Sequence, residues 1–388
     1  MGRFADGLRR PGLGAIAEFK RRSPSAGDIR PDARVEELVP AYAASGASAI
    51  SVLVDERFGG SLDDLVAARA ATTAPLLAKG FFREEAQLEA LRDAGADAAL
   101  LILRDLDDAQ AARLMRAAAQ LGLDTLVEAH DLDELERAEK LTAPVVGVNA
   151  RDLSTFAIDR MTQLRLVARA ARDNNRIVIA ESAIATRAQG AAAELAGADA
   201  ILVGTTLMRA ADPGAKLREL LSRPLAKVCG LTRQDDVDAA VEAGADLVGF
   251  ILVDKSPRRA PAVLDVPETT LSVAVFVGEP EETGADLVQL YPDDAGTVRG
   301  RDAVLLREGE PVARLLDQPW EGTDPEHWRT AARAEGRIVL AGGLGPENVR
   351  AAIDTVHPWG VDAASSLETE PGIKDHARVR AYVEEAHR

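Results

Sequence analysis

In the first half of this chain, ionisable and polar side chains recur at one kind of place, the downstream end of a short apolar run. Glu18 and Lys20 close the first such run, Lys79 the third and Glu128 the fifth. Asn149 with Arg151, Glu181 with Ser182, and Gly204 with Thr205 close the sixth, seventh and eighth. Two lysines and three glutamates converging on one mouth can run general acid–base chemistry, because burial and mutual proximity move their proton affinities toward neutrality. Any one of them alone is as readily a rim ion pair; the set together reads as a site. In the second half the only cysteine, Cys229, ends the run Ala226–Cys229, and Asp317 ends the run Ala313–Asp317. A lone buried cysteine is usually a small hydrophobe. Placement at a strand end before a glycine turn, with a carboxyl at another strand end, argues instead for a thiol base and a carboxylic acid. The thiolate must then be favoured, since a free thiol titrates at about 8.5. Lys227, two residues earlier, is expected to face the same side one layer deeper, too far to help.

These residues need a scaffold that gathers strand ends. The first-half runs are Ala15–Lys20, Ala49–Val54, Pro75–Gly80, Ala98–Leu103, Asp124–Ala129, Val145–Ala150, Arg176–Glu181 and Ala200–Thr205, with Ala/Leu/Glu/Arg-rich helical stretches between them. Continuous apolar runs are those of parallel strands covered on both faces. Eight strand–helix units in about 220 residues predict a (β/α)8 TIM barrel, with its chemistry at the C-terminal strand ends. A doubly wound sheet is the alternative, but no G-x-G-x-x-G turn follows the first strand. From Ala226 the pattern restarts with Ala226–Cys229, Leu247–Leu252, Leu271–Val277, Ala285–Leu290, Ala303–Leu306, Ala313–Asp317, Arg337–Ala341 and Gly360–Ala364. The expected fold class is therefore α/β, two tandem TIM barrels spanning 1–222 and 225–388, the second with reduced outer helices. Gly278–Gly284 is too short for a covering helix after the third strand. The helix after the fourth, over Tyr291–Arg301, is expected to be short or absent.

Composition narrows the function classes. With 388 residues, 47% hydrophobic and 28% charged, the chain is globular and long enough for two cores. A net charge of −17 argues against nucleic-acid binding. One cysteine excludes a disulfide framework and fits a reducing, cytoplasmic setting. The longest uncharged run, Leu38 to Val54, is broken by Pro40 and Gly46 and is not a membrane span. Seven lysines against 39 arginines make each lysine in an apolar segment worth inspecting. His130, His327, His357, His376 and His387 lack metal-ligand spacing and are read as ordinary.

Ile16-Ala-Glu-Phe-Lys-Arg-Arg-Ser-Pro-Ser25, Phe58-Gly-Gly-Ser61, Leu126-Val-Glu-Ala-His130, Gly147-Val-Asn-Ala-Arg-Asp-Leu153, Ala180-Glu-Ser182 and Leu202-Val-Gly204 resemble, in order, the motifs of indole-3-glycerol-phosphate synthases. The resemblance implies that Lys79 protonates the substrate carbonyl during ring closure and that Glu128 relays protons for dehydration. By the same resemblance Lys20 and Asn149 hold the anthranilate carboxylate, with Glu18 and Glu181 completing the polar network. Phe58 and Phe81 line the aromatic pocket, and Ser23, Ser182, Gly204 and Thr205 cradle the phosphate. Arg151 adds positive charge. The family's Lys-Asp-Phe is Lys79-Gly80-Phe81 here, and its Glu-Ser-Gly is Glu181-Ser182-Ala183. A methyl at Ala183 is expected to limit φ at a phosphate-facing turn.

The second half resembles phosphoribosylanthranilate isomerases through Lys227-Val-Cys-Gly-Leu-Thr232, Lys255-Ser-Pro-Arg258, Val288-Gln-Leu290, Leu315-Leu-Asp317, Leu340-Ala-Gly-Gly-Leu344 and Gly360-Val-Asp362. That resemblance implies an Amadori rearrangement with Asp317 as acid and Cys229 as base. Arg258 would neutralise the anthranilate carboxylate, Gln289 would line the site, and Gly342, Gly343, Ser365 and Ser366 would bind phosphate. The family's Gln-Leu-His-Gly is Gln289-Leu-Tyr-Pro292, its glycine-rich loop after the aspartate is Glu321-Gly-Thr-Asp324, and Ala364 replaces a serine. Together the two resemblances imply a bifunctional enzyme of tryptophan biosynthesis without metal or organic cofactor, acting as a monomer on phosphosugar-anthranilate substrates, with no nucleic-acid or membrane partner. The alternative is that only one barrel is active and the other is a structural partner or a non-catalytic phosphate-sugar binder.

Overall fold

The computed structural model describes residues 2–23, 27–151, 155, 157–293, 302–317 and 326–388. The chain divides into two compact units, with the changeover along the sequence at Leu221–Ser222. In the first, β1 (Gly14–Phe19), β2 (Ala49–Leu53), β3 (Leu76–Lys79), β4 (Ala98–Ile102), β5 (Asp124–Ala129), β6 (Val145–Asn149), β7 (Ile177–Glu181) and β8 (Ala200–Val203) close into one parallel barrel. The barrel closes where Gly14 pairs with Ala200 and Ile16 with Ala49. Ile16, Ile50, Leu76 and Leu77 are fully buried, each such side chain stabilising the fold by roughly 1.5–3 kcal/mol. All eight strands run the same way, so Glu18, Lys79, Glu128, Asn149 and Glu181 emerge at the same mouth. At the other end, helix α1 (Arg3–Leu8) buries Phe4 and Leu8. The Asp124 carboxylate accepts from the backbone nitrogens of Gly2 and Ala5 at 2.7 and 3.0 Å, satisfying two otherwise orphaned donors of that helix.

The second unit closes through β9 (Leu225–Cys229), β10 (Leu247–Ile251), β11 (Leu271–Val277), β12 (Leu287–Tyr291), β13 (Ala303–Arg307), β14 (Glu310–Asp317), β15 (Ile338–Ala341) and β16 (Gly360–Ala363). The two-barrel architecture is as the sequence predicts, with one strand reversed. β13 runs antiparallel to both neighbours, pairing Val288 with Leu306 and Leu305 with Ala313. The cause is local. Only Glu308 and Gly309 join β13 to β14, both with positive φ (50° and 84°), the geometry of a tight hairpin turn. A parallel return needs a crossover of a dozen residues or more. β14 is parallel to β15, with Asp317 opposite Ala341, so the reversal leaves Asp317 at a C-terminal strand end.

No helix lies between Val277 and Leu287, as the short connection requires. Most of the connection after β12, and the Glu321–Asp324 loop, lie outside the described residues. One absence was not anticipated: residues 252–270, between β10 and β11, also form no helix. The wall from β10 to β14 thus lacks helical cover among the described residues. Val288, Leu290, Val304 and Leu306 lie half-buried along it.

Candidate active sites in the two barrels

Lys79 is the centre of the first site. Its Nζ lies 2.7 Å from Glu181 Oε2, 3.5 Å from Glu128 Oε2 and 3.7 Å from Glu18 Oε2. Lys20 Nζ lies 2.6 Å from Glu18 Oε1. Lys79 and the three glutamates are all buried. With three buried carboxyls gathered on Lys79, the one pressed by both burial and a neighbouring carboxylate keeps its proton. Burial first, and then the neighbouring Glu128, push Glu181 up to about 8. Burial also opposes charge on Glu128, but Lys79 and His130 overcome it and hold Glu128 down to about 2. Burial works against the Lys79 ammonium too, yet Glu181, Glu128 and Glu18 keep its affinity for the proton well above normal. The set is a donor, a carboxylate and a proton reservoir within hydrogen-bonding reach of one another.

Two glycines make room for it. A Cβ on Gly147 would sit 2.0 Å from Glu181 Oε1, and one on Gly204 would sit 2.1 Å from Glu18 Oε1. Any larger residue there would displace the carboxylates. Gly80 is likewise enclosed, since a Cβ would meet the Phe82 ring at 2.9 Å. The departure from Lys-Asp-Phe is therefore filled by an aromatic ring. Asn149 accepts from the Arg151 backbone nitrogen at 3.0 Å through its side-chain oxygen, which leaves its amide NH2 as donor. Burial lowers the proton affinity of the Arg151 guanidinium. Phe58 and Phe81 face each other, with centroids 6.4 Å apart and planes inclined by 23°, and the Arg57 guanidinium lies 3.9 Å over Phe81.

Of the phosphate candidates, Ser23 is buried, and Thr205 opens the short helix Thr205–Arg209 behind Gly204. Ser182 and Ala183 follow β7 with φ of 73° and 56°. The methyl of Ala183 does not keep the turn out of the left-handed region, contrary to expectation. The turn is strained instead, at about 1–2 kcal/mol for a non-glycine residue. Buried Arg160 donates to the Ala183 carbonyl at 2.9 Å and helps to hold it. Ala183→Gly is expected to raise unfolding stability by about 0.5–1 kcal/mol, the relieved strain less the added unfolded-state entropy. A denaturant midpoint measures it.

Three residues of this site escaped the sequence reading. His130, read there as ordinary, places Nε2 3.2 Å from Glu128 Oε1 and Nδ1 2.9 Å from Glu134 Oε2. Burial disfavours its charge, but the two carboxylates raise its pKa to about 9. The available signal was the i, i+4 His–Glu spacing at the start of a helix. Gln163 donates to the Val148 and Glu181 carbonyls at 2.9 and 2.6 Å, tying two strand ends together, and Arg160 is the third. Neither of these two carries a motif. Because Glu181 holds the shared proton, first-barrel turnover should fall on the alkaline side near pH 8. In Glu181→Gln, which cannot ionise, that limb should disappear from the pH–rate profile.

In the second barrel, Cys229 is buried at the end of β9. Lys227 is not a layer removed from it, which corrects the sequence reading. A Cβ on Gly249 would lie 2.7 Å from Cys229 Sγ and 3.1 Å from Lys227 Cε, so the bare glycine lets both side chains occupy one space. Burial pushes the thiol up, and the Lys227 ammonium opposes that shift. Lys227 Nζ donates to Gln289 Oε1 at 2.6 Å and to Asp362 Oδ2 at 2.8 Å. Tyr291 donates to Asp317 Oδ2 at 3.1 Å. Burial and then Asp362 raise Asp317 to about 6, so it keeps its proton into the range where an acid is useful.

Arg258 is not a lone cation. Its Nε contacts both oxygens of Glu368 at 2.9 Å, and Lys374 Nζ donates to Glu368 Oε1 at 2.9 Å. Two cations on one carboxylate leave a net positive patch. A Cβ on Gly230, beside Cys229, would lie 3.1 Å from Arg258 Cδ. Gly342 and Gly343 take φ of 92° and 66° after β15. Ser366 Oγ donates to the Leu344 carbonyl and Asn348 Nδ2 to that of Gly343, which brings the glycine loop against the Ser365–Ser366 turn. Among the described residues, no group of three or more His, Cys, Asp or Glu is placed to hold a metal ion, and no helix is long and apolar enough to cross a membrane.

Comparison with known proteins finds two families along the chain. Residues 3–220 match the family described as indole-3-glycerol phosphate synthase, and residues 324–385 match N-(5'-phosphoribosyl)anthranilate isomerase. Indole-3-glycerol phosphate synthase 2 of Streptomyces coelicolor is 46% identical over 56% of this chain and 84% of its own length. The multifunctional tryptophan biosynthesis protein of Schizosaccharomyces pombe is 32% identical over 98% of this chain, which spans 60% of that protein. The crystal structure of phosphoribosyl anthranilate isomerase from Thermotoga maritima aligns over 98% of its length and 42% of this chain, at 26% identity and a TM-score of 0.33.

Proposed function

We propose that this chain, which belongs to the indole-3-glycerol phosphate synthase family, carries out two consecutive steps of tryptophan biosynthesis. The second barrel isomerises N-(5-phosphoribosyl)anthranilate to carboxyphenylamino-deoxyribulose phosphate. The first closes that product to indole-3-glycerol phosphate with loss of CO2 and water.

The observation that carries the synthase reading is one ammonium held by three buried carboxyls at a strand-end mouth. Attack of the aromatic ring carbon on the ketone develops negative charge on the carbonyl oxygen, and Lys79 donates its proton there. Desolvation strengthens that donation. Lys20 and the Asn149 amide hold the departing carboxylate until CO2 leaves. Dehydration then needs a proton taken from the methylene carbon next to the nitrogen and one delivered to the leaving hydroxyl. Glu128, ionised at neutral pH, accepts the first, and Lys79, with the Glu181 proton behind it, supplies the second.

For the isomerase, protonated Asp317 delivers a proton to the ring oxygen, opening the aminoaldose to an imine. The Cys229 thiolate removes the proton from the adjacent carbon, and the resulting enolamine becomes the aminoketose. Lys227 and the Arg258–Lys374 pair make the thiolate accessible and place positive charge for the anthranilate carboxylate. Ser365, Ser366, Gly342 and Gly343 take the phosphate. The units 1–222 and 225–388 act as the two catalytic bodies of a cytoplasmic monomer, on small phosphosugar substrates and without nucleic acid.

The test supplies each substrate separately. Aminoaldose should yield aminoketose and then indole glycerol phosphate. Aminoketose alone should yield indole glycerol phosphate. A chain that converts only one of them has a single active barrel.

A further inference from the structure

The second barrel holds a row of polar side chains that an acid–base pair alone does not require. Lys227 donates to Gln289 Oε1 at 2.6 Å. Gln289 Nε2 donates to Tyr291 Oη at 3.0 Å, and that hydroxyl donates to Asp317 Oδ2 at 3.1 Å. Lys227 and Gln289 are each only 1% exposed, so bulk water cannot replace these bonds. An ammonium group offers donors only. The oxygen of Gln289 must therefore face Lys227 and its nitrogen must face Tyr291. The phenolic oxygen, having accepted that bond, turns its hydrogen toward Asp317. The row has one direction.

We propose that Lys227, Gln289 and Tyr291 form a directional hydrogen-bond chain that reserves Oδ2 of Asp317 as an acceptor and keeps the transferable proton on Oδ1. Tyr291 and Gln289 are positioning residues, and the inference rests on reading Asp317 as the general acid. A carboxylic acid has one carbonyl and one hydroxyl oxygen. The phenol O–H is satisfied best by the carbonyl oxygen, so the acid hydrogen is placed on the other oxygen, which is left for the substrate. A row polarised the other way would leave the acid proton pointing at protein. Tyrosine suits this role where related isomerases carry histidine. Burial and the nearby Asp317 carboxyl hold the phenol protonated far above neutrality, so it donates across the working pH range, whereas an imidazole changes its hydrogen-bonding role as it titrates.

The charges around Asp317 come from several elements. Asp362 on β16 and Asp302, just before β13, favour its protonated form, as burial does. Lys227 on β9 and the phenol bond from β12 favour the carboxylate. Removing the phenol hydroxyl must therefore raise the Asp317 titration midpoint.

The experiment is a carboxyl 13C NMR titration of the full chain, with the Asp317 signal assigned by its loss in Asp317→Asn. The wild-type signal should titrate near pH 6. Tyr291→Phe should raise the midpoint by about one pH unit and lower isomerase kcat about tenfold, with KM little changed. Gln289→Met, which adds no charge and frees the phenol to rotate, should move the midpoint the same way. Tyr291→His keeps a donor and should largely restore it. Unchanged midpoints in both Tyr291→Phe and Gln289→Met would overturn the chain, with first-barrel activity and thermal unfolding as controls for folding. If the wild type converts no aminoaldose, the reading of Asp317 as acid falls, and the titration still judges the hydrogen-bond chain.

Discussion

Lys79→Met is expected to lower kcat for indole ring closure by about 10³-fold or more while isomerisation in the second barrel continues unchanged. Methionine keeps the length of the side chain and its apolar stem and removes only the donor. The same change strips the cation from Glu181, Glu128 and Glu18, which lie 2.7, 3.5 and 3.7 Å from it. Glu128, now held down to about 2 against burial by Lys79 and His130, loses the first of these cations and must rise. A carboxyl whose folded pKa is depressed contributes stability that is present above the unfolded pKa and is lost as pH falls through the folded one. The variant should thus be less stable than wild type by roughly 3 kcal/mol at pH 8, the scale for breaking a buried ion pair, and the gap should close only as pH falls toward 2. Lys79→Arg should not restore turnover, because the larger planar guanidinium cannot place its proton where the compact ammonium does. Paired assays on one preparation, one per substrate, separate lost chemistry from lost fold. Ring closure within tenfold of wild type in Lys79→Met would remove Lys79 from its assigned role.

The second large effect is a trade between activity and stability at Asp317. Asp317→Asn removes the acid and is expected to reduce isomerase kcat by about 10³-fold, with ring closure untouched. Yet the wild-type carboxyl sits near 6, raised first by burial and then by Asp362, against about 3.9 unfolded. Its ionisation therefore costs stability, progressively from about pH 4 up to about pH 6. Asparagine never pays that cost. Above pH 6 the variant should be more stable than wild type by roughly 1–2 kcal/mol, and below pH 4 the advantage should vanish. Urea midpoints for the second barrel at pH 4 and pH 7 give the comparison. Equal stability at both would mean that the carboxyl is not strained in the folded state.

How much of this was legible beforehand depended on the kind of signal. Lys79, Glu128 and Glu181 could be read from the sequence because uninterrupted apolar runs mark parallel strands, and parallel strands deliver their ends to one face. The reversal of β13 depended on two residues, Glu308 and Gly309, whose hairpin character is plain once the connection is seen to fall far short of the dozen residues a parallel crossover needs. Lys227 was misplaced because strand alternation fixes which face a side chain leaves, not how far a four-carbon stem can bend. The bend was permitted by a missing side chain on the neighbouring strand, at Gly249. His130 was passed over for a similar reason. Its i, i+4 spacing to Glu134 is a helix-start pattern, but nothing in that pattern brings in the strand-end Glu128. Ala183 was the opposite case, a correct alarm with the wrong outcome, since the fold accepts the left-handed backbone rather than avoiding it.

The two-residue turn between β13 and β14 also bears on how the second barrel assembles. Parallel neighbours must wait for a distant stretch of chain to return, and that search makes such topologies slow. The pairing from Ala303 to Asp317 needs no such search. A hairpin of this kind closes in about 1–10 μs, long before the remaining strands can register. Asp317 would then already stand at the end of an ordered strand while Cys229 is still part of an unformed wall.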